Sequence, residues 1–208
     1  MIPKKLQQKL DEGRQYRSVV EIRAVDEEMI VEGYATTFDE PYTLYEDDDV
    51  RIMEQIDARA FDDTDMTDVI MQYDHEGRVF ARIANGTLEL TPDEHGLHVR
   101  ADLGGTEIGR QLYEEIKGGY TSKMSFGFTV AADEELRKNE DGKDTYLRTI
   151  TSIRKLYDVS AVSLPANNAT EISARAYCEG VIAAAAEERR AAAERERRVR
   201  KIKILMEV

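Results

Sequence analysis

The sequence has 208 residues, of which 41% are hydrophobic and 34% are charged. This length fits roughly one domain of about 150 residues with a remainder, and the apolar content excludes a wholly disordered chain. No apolar run approaches the roughly 18 residues that span a bilayer, so we expect neither a membrane segment nor a signal peptide. The single cysteine, Cys178, excludes an internal disulfide and a multi-cysteine zinc site, and it is typical of a reducing cytoplasm.

The chain is strongly acidic. Its 29 basic and 42 acidic residues give a net charge of −13, which argues against binding nucleic acid through the phosphates. Residues 171–208 hold nine basic and seven acidic residues, a net of +2, which leaves 20 basic and 35 acidic residues, a net of −15, for residues 1–170. The sequence therefore predicts an acidic body followed by a mildly basic tail.

The N-terminal third of the sequence predicts strands. Two apolar runs at 19–25 and 29–34, joined by a polar turn, predict a β-hairpin. The stretch 38–51 contains a proline and an acidic run, which favours a surface loop over a core element. Residues 52–61 predict a strand followed by a short turn.

Further strands are predicted in the middle of the chain. The apolar run 69–75 becomes polar at its end, as a buried strand does when it emerges, and this places His75 near a strand end. Three alternating segments follow at 80–83, 86–90 and 97–103, and the turn signals between them predict a β-meander.

A change of period marks one amphipathic helix. Between Thr106 and Lys117 the apolar residues fall four apart on one face, Thr106 can cap the first turn, and a Gly-Gly pair ends the helix. The chain then alternates from 122 to 130, with large apolar residues on one face. Ser125 belongs to the opposite face.

The C-terminal part predicts strands and a long helix. Residues 132–145 are typical of a solvated hairpin loop, and strands are predicted at 146–153 and 156–164 before a stop at Pro165. The Ala/Glu/Arg-rich tail 171–208 predicts an extended helix. Its middle has almost no apolar residue larger than Ala, and the apolar stripe near its end is typical of a segment that binds a partner or self-associates.

Three residues at strand positions have the chemistry needed for acyl transfer by serine: a hydroxyl, an imidazole to take its proton, and an acid to orient the imidazole. These are Ser125, His75 and Asp158. Each also has a simpler interpretation, since small residues on strands and histidines at strand ends are common. Asp158 lies in an apolar strand, where an acid needs a partner; that partner is either His75 or an arginine.

Other motifs carry weaker signals. His95 and His98 form an H-x-x-H pair, but a metal site would need further ligands. Neither Ser122 nor Ser125 lies in a G-x-S-x-G motif, so nucleophile-elbow hydrolases are not indicated. Residues 104–106 precede a helix but lack the Lys and the glycine spacing of a phosphate-binding loop, and we interpret them as a turn.

Short segments over residues 16–175 together resemble the prohead maturation proteases of tailed bacteriophages, a family related to herpesvirus assemblin. The segments share their order along the chain with that family: Glu21-Ile22-Arg23-Ala24, Glu32-Gly33-Tyr34-Ala35, Tyr73-Asp74-His75, Gly86-Thr87-Leu88, Gly96-Leu97, Gly109-Arg110-Gln111-Leu112-Tyr113, Met124-Ser125-Phe126-Gly127-Phe128, Tyr157-Asp158-Val159-Ser160 and Pro165-Ala166-Asn167.

The resemblance implies a serine endopeptidase that cleaves capsid precursor and scaffold during prohead maturation. A helical tail of this kind is open to proteolysis, so we also expect self-cleavage within it. His75 and Ser125 match the family's base and nucleophile. Many relatives carry Glu where this sequence has Asp158, and Asp158 is our expected third member; the second His of herpesvirus relatives leaves His95 and His98 as alternatives. By the same analogy, the segment around Ala166 and Asn167 supplies oxyanion donors. No metal or organic cofactor is expected.

The resemblance also sets expectations about organisation. We expect an α+β, mainly β fold with a herpesvirus-protease-like barrel or sheet core, flanking helices and a long C-terminal helix. The predicted parts are an N-terminal extension at 1–15, a protease domain at 16–175 and a helical tail at 176–208. The expected location is the host cytoplasm, inside the immature capsid, with absence from the mature virion; nucleic acid and membranes are not expected partners. The alternative is a non-catalytic assembly or scaffolding factor with a protease-like body.

Overall fold

The computed structural model describes residues 14–25, 29–140, 142–163 and 172–206. Within these residues the chain forms ten strands and two α-helices, in the order β1 Gln15–Val25, β2 Ile30–Thr37, β3 Tyr42–Glu46, β4 Val50–Ile56, β5 Ile70–Tyr73, β6 Glu76–Arg82, β7 Leu88–Pro92, β8 Gly96–Asp102, α1 Glu107–Lys117, β9 Lys123–Glu140, β10 Lys143–Val162 and α2 Ile172–Met206. The fold is mainly β with a C-terminal helix, as predicted.

All ten strands belong to one sheet. Its main path runs β3-β4-β10-β9-β1-β2-β8-β7, while β5 pairs with β10 beyond the end of β4, and β6 pairs with β5. Among the described residues the outermost strands β3 and β7 do not pair with each other, so the sheet is open and not a closed barrel. The long central strand β10 therefore has three neighbours: β9 along one side, and β4 and β5 in succession along the other.

The predicted N-terminal hairpin is confirmed by the antiparallel pairing of β1 with β2; its turn, 26–28, lies outside the described residues. The predicted meander is only partly correct. Strands β7 and β8 pair with each other, but β6 pairs with β5, and a short 3₁₀ turn at Ile83–Asn85 redirects the chain before β7. Similar alternation in successive segments does not specify which neighbour each strand will choose.

The predicted surface loop at 38–51 is wrong. Tyr42–Glu46 and the start of β4 form a hairpin, and Leu44 and Val50 are buried. Only the tip is a loop, where the Asp47 carboxylate accepts hydrogen bonds from the backbone N–H groups of Asp49 and Val50. Asp47, Asp48 and Asp49 thus form the turn. Tyr42 and Leu44 on β3 pack with the apolar residues of helix α2.

The predicted loop at 132–145 is also strand. Strands β9 and β10 remain paired out to Glu140 and Lys143, so the solvated segment is the outer part of a two-stranded ribbon. Likewise, the two strands predicted at 146–153 and 156–164 are one strand, β10, with irregular pairing between Ile150 and Asp158. Polar residues on both faces made this ribbon resemble a loop in sequence.

Helix α1 has the predicted ends. The Thr106 hydroxyl accepts a hydrogen bond from the Gly109 N–H at 3.0 Å, which caps the first turn. At the other end Gly119 adopts a left-handed conformation, φ 74°. Leu112, Tyr113 and Ile116 bury the apolar face of the helix in the main core.

Helix α2 confirms the predicted helical tail and has two dissimilar parts. Its first turns pack on β3, β4 and β10 through a second apolar cluster that includes Ala174, Tyr177, Val181 and Ala185. Residues 187–202 are exposed throughout. Neither helix in the described ranges combines the length and the apolar character that a bilayer crossing requires.

A buried ionic network lies beneath the first part of α2. The Glu54 carboxylate accepts hydrogen bonds from Arg17 and Arg148, and all three side chains are at most 1% exposed. The ring of Tyr177 packs against the Arg148 guanidinium, 4.9 Å from its centroid. Burial opposes ionisation of Glu54, but the two guanidinium groups outweigh it and lower its pKa to about 2.

Candidate active site

Two rows of residues cross the sheet side by side and form the floor of the candidate site. In one row, Tyr16 on β1, Gly127 on β9 and Asp158 on β10 are direct partners. In the next row, Ser125 on β9 is the partner of Ser160 on β10. Because directly paired residues share a face, these side chains lie on the face opposite the Phe126 side chain.

A bulge in β10 brings Asp158 onto this face. Leu156 pairs with Phe128 and Asp158 pairs with Gly127, so Tyr157 is an extra residue between them. Regular alternation would place Asp158 on the same face as the core residue Leu156; the inserted residue turns it to the opposite face. Bulges commonly re-aim side chains in this way beside active sites.

His75 is held by a two-residue turn. Tyr73 at the end of β5 pairs with Glu76 at the start of β6, and Asp74 and His75 between them both have positive φ, 49° and 60°. This is the backbone pattern of a type I′ hairpin turn, which is strained for residues other than Gly, Asn and Asp. The Asp74 carboxylate anchors the turn by accepting hydrogen bonds from the N–H and hydroxyl of Ser163, each at 2.9 Å.

The turn brings the imidazole over β10 and between the serine and the acid. The Nε2 atom of His75 lies 2.6 Å from the Ser125 hydroxyl oxygen, and its Nδ1 atom is hydrogen-bonded to the Asp158 carboxylate. The three predicted residues, separated by 50 and 83 positions from His75 along the chain, thus form one continuous chain of hydrogen bonds.

Further residues surround the Asp158 carboxylate. The Ser160 hydroxyl donates a hydrogen bond to Oδ2 at 3.0 Å. The Arg14 guanidinium lies 3.4 Å from Oδ1 and stacks over the ring of Tyr157, 3.9 Å from its centroid. The sequence left either His75 or an arginine as the partner of Asp158. In the structure Asp158 contacts both His75 and Arg14.

The imidazole is held from the side as well. The ring of Tyr16 packs against the His75 ring with 4.3 Å between centroids. Ser125 and Asp158 have no exposed surface, whereas 16% of the His75 side chain is exposed. The His75 ring thus has a buried carboxylate at Nδ1, a serine hydroxyl at Nε2 and an aromatic ring packed beside it. In this arrangement an imidazole can accept a proton from a serine.

Other residues considered from the sequence lie elsewhere. His95 and His98 pack against Tyr34, with ring centroids 4.6 and 5.2 Å from that ring. Within the described ranges, no group of three or more His, Cys, Asp or Glu side chains is arranged to hold a metal. Residues 104–106 form the turn into α1, and the predicted oxyanion segment around Ala166 and Asn167 lies outside the described residues.

Sequence reasoning assigned no role at the site to Tyr16, Arg14 or Ser160, and it named Gly127 only as part of the segment around Ser125 that resembles the family. Only the register between β1 and β9 brings the first two to the site, and that register has no local signal. Ser160 follows Asp158 by two residues, a spacing that places both on one strand face, and this signal was present in the sequence.

A known protein family matches most of the chain. The family model described as caudovirus prohead serine protease matches residues 18–181 of the chain. These residues include His75, Ser125 and Asp158. No curated protein and no solved structure matches the chain significantly. The chain belongs to the caudovirus prohead serine protease family.

Proposed function

We propose that this protein is a serine endopeptidase of prohead maturation in which His75 is the general base, Ser125 the nucleophile and Asp158 the acid that orients the base. The observation that carries the proposal is the unbroken hydrogen-bonded sequence from the Ser125 hydroxyl through His75 to the Asp158 carboxylate. Family membership supports a serine peptidase independently of this geometry.

The geometry leads to the following steps. His75 Nε2 takes the Ser125 proton while the serine oxygen bonds to the carbonyl carbon of the substrate peptide. Asp158 stabilises the imidazolium that forms and keeps Nδ1 protonated. When the tetrahedral intermediate collapses, the imidazolium gives its proton to the leaving amine. Water then hydrolyses the acyl-enzyme, with His75 again accepting a proton.

The proposed substrates are the capsid precursor, the scaffold and the protease itself. The outer part of α2 supports self-cleavage, because residues 187–202 are exposed throughout and are therefore accessible to a protease. We further propose action inside the immature capsid and absence from the mature virion. The relation to herpesvirus assemblin and the oxyanion role of Ala166 and Asn167 are also part of this proposal.

The test is to co-express the chain with its cognate major capsid protein and to measure the mass of the capsid protein. We expect a discrete N-terminal truncation with the unaltered chain and none with Ser125→Ala, which loses only one buried hydroxyl. Ser152→Ala, on the same hairpin but distant in sequence, is the matched control and should still cleave. Equal truncation with unaltered chain and Ser125→Ala would overturn the proposal.

The second function, an assembly factor without catalysis, is favoured by one observation: residues 187–202 of α2 are exposed and lie beyond the apolar cluster that holds the first turns of the helix. It predicts shells whose formation is indifferent to Ser125→Ala and His75→Ala but sensitive to removal of residues 191–208. Normal shells without that segment would exclude it, and electron microscopy of the particles from the same co-expression provides this measurement.

A further inference from the structure

A cleft opens beside the His75 turn, between the β5–β6 hairpin and helix α1. Its volume is about 570 Å³, and it is lined by residues on both sides of His75, including Asp74 and Glu76. Pockets that bind small molecules have volumes of about 300–1,000 Å³. The turn also lies beside the proposed nucleophile, because His75 Nε2 is 2.6 Å from the Ser125 hydroxyl oxygen.

The walls of the cleft have two kinds of surface. Tyr73, Phe80, Ile108 and Leu112 provide apolar surface from the hairpin and the helix. A long aliphatic side chain would bury its methylene groups against these residues, which is favourable because it removes apolar surface from water.

The rim is acidic. Glu76 on the hairpin and Glu115 on the helix both line the cleft, both are exposed, and within the described residues neither carboxylate has a cationic partner. The Asp74 carboxylate is occupied by Ser163. Arg78 is the cation in the lining, so the rim retains a net negative charge.

From these observations we propose that the cleft is a specificity pocket for a lysine or arginine side chain of the protein substrate. An aliphatic stem on the apolar wall with its cationic group at the two glutamates is the side-chain chemistry that fits both surfaces. The inference rests on the proposed protease function. The chain itself supplies such side chains in an accessible place, since Arg195, Arg197, Arg198 and Arg200 on α2 are exposed.

The first experiment maps cleavage sites. The full-length protein is incubated with a library of unstructured peptides, and the products are sequenced by mass spectrometry, with Ser125→Ala as the background. We expect enrichment of Lys and Arg at one fixed position relative to the cleaved bond. Cleavage with no cationic preference would overturn the pocket and leave the protease function standing.

The second experiment assigns the preference to the cleft. The double variant Glu76→Gln with Glu115→Gln should lower kcat/KM for a lysine-containing peptide about three- to tenfold, as expected for two exposed charge pairs. It should leave kcat/KM unchanged for the same peptide with norleucine in place of lysine. The loss should shrink as salt is added. Glu114→Gln, next to Glu115 but outside the cleft lining, is the matched control. An equal loss for both peptides would overturn the assignment.

Binding separates failure of the pocket from failure of the protease proposal. If the unaltered chain cleaves no peptide, the same lysine and norleucine peptides, fluorescently labelled, are titrated into the Ser125→Ala protein. Tighter binding of the lysine peptide that disappears in the glutamine double variant supports the pocket on its own. Equal binding of the two peptides overturns it.

Discussion

Gly127 lies directly opposite Asp158 on neighbouring strands, and the absence of a side chain at 127 is what leaves room for the carboxylate. A Cβ built at position 127 would overlap Asp158 Oδ1 and lie 2.7 Å from the Tyr16 ring. The glycine two residues after Ser125 thus accommodates the acid and the tyrosine of the same row.

Gly127→Ala should therefore damage the site more than the sheet. The added methyl must displace the carboxylate or the Tyr16 ring, and a displacement of about 1 Å at a catalytic group can cost about 10²-fold in rate. We expect kcat/KM to fall by about that factor, measured on a peptide that the unaltered chain cleaves. Gly105→Ala is the matched control, because no atom lies within 4 Å of its Cβ. Full activity in Gly127→Ala would contradict this prediction and would show that Asp158 and Tyr16 can shift to accommodate the methyl group without loss of rate.

Asp158→Asn tests the role of the acid. The amide nearly preserves shape but removes the charge and reverses the hydrogen bond that holds Nδ1 protonated, for which a loss in kcat of about 10⁴-fold is known in serine protease triads. We expect a loss of 10³- to 10⁴-fold, on the same scale, measured by single-turnover cleavage. Asp62→Asn, an exposed aspartate paired with Arg59, should cleave normally. A loss in Asp158→Asn below tenfold would assign the acid a structural role.

Glu54 predicts how stability depends on pH. Its folded-state pKa, about 2, lies below its ordinary value of 4.5, so the folded protein holds this proton less tightly than the unfolded chain. The stabilisation is fully present above pH 4.5 and is lost as the pH falls toward 2. Urea unfolding of the unaltered chain should show a falling free energy of unfolding across this window.

Glu54→Gln provides the comparison. It removes the buried carboxylate that Arg17 and Arg148 share, while Arg148 keeps its ion pair with Asp133. We expect a loss of about 3–5 kcal/mol at neutral pH, with a weaker pH dependence below pH 4.5. Glu46→Gln removes an exposed carboxylate that pairs with Arg51 and Lys143, and it should change the midpoint of unfolding little. If Glu54→Gln and Glu46→Gln lowered the free energy of unfolding equally, the buried position of Glu54 would not explain its contribution to stability.

The two parts of α2 should differ in stability. Removing residues 191–208 deletes helix that is exposed over its described length to 202, and the melting temperature should not change. Tyr177→Ala removes a ring that is 1% exposed and should lower the free energy of unfolding by about 3–5 kcal/mol.

Limited trypsin digestion of the unaltered chain should cut first between residues 195 and 201. If the shortened chain melts much lower, the outer helix contributes to the fold.

Features of the fold that depend on local sequence patterns could be predicted from the sequence, whereas features that depend on pairing between distant segments could not. Helix α1 and the strand face that carries Ser125 followed from local periodicity and capping. The β3–β4 hairpin and the outer β9–β10 ribbon were misread as loops because their polar residues lie on exposed strand surface. The position of His75 at a strand end was predictable; the two-residue turn that directs its ring was not, because Asp74-His75 lacks the glycine such turns usually carry.

The site itself was predicted from residue types and a family resemblance, and its geometry depends on long-range register. The bulge at Tyr157 decides which face Asp158 occupies, and a single extra residue in a long strand leaves no periodic trace. Arg14 and Tyr16 reach the site through pairing between β1 and β9, more than a hundred residues apart in sequence.

The β9–β10 hairpin carries the proposed nucleophile and acid together, whereas the proposed base, His75, lies in the turn between β5 and β6. Contacts within a hairpin form early because little chain entropy is lost in closing them; the parallel pairing of β5 with β10 must close a loop of more than 80 residues. A newly made chain can therefore hold Ser125 beside Asp158 before the His75 imidazole is brought to them. The order in which the strands assemble itself delays the appearance of a complete catalytic set until the body is folded.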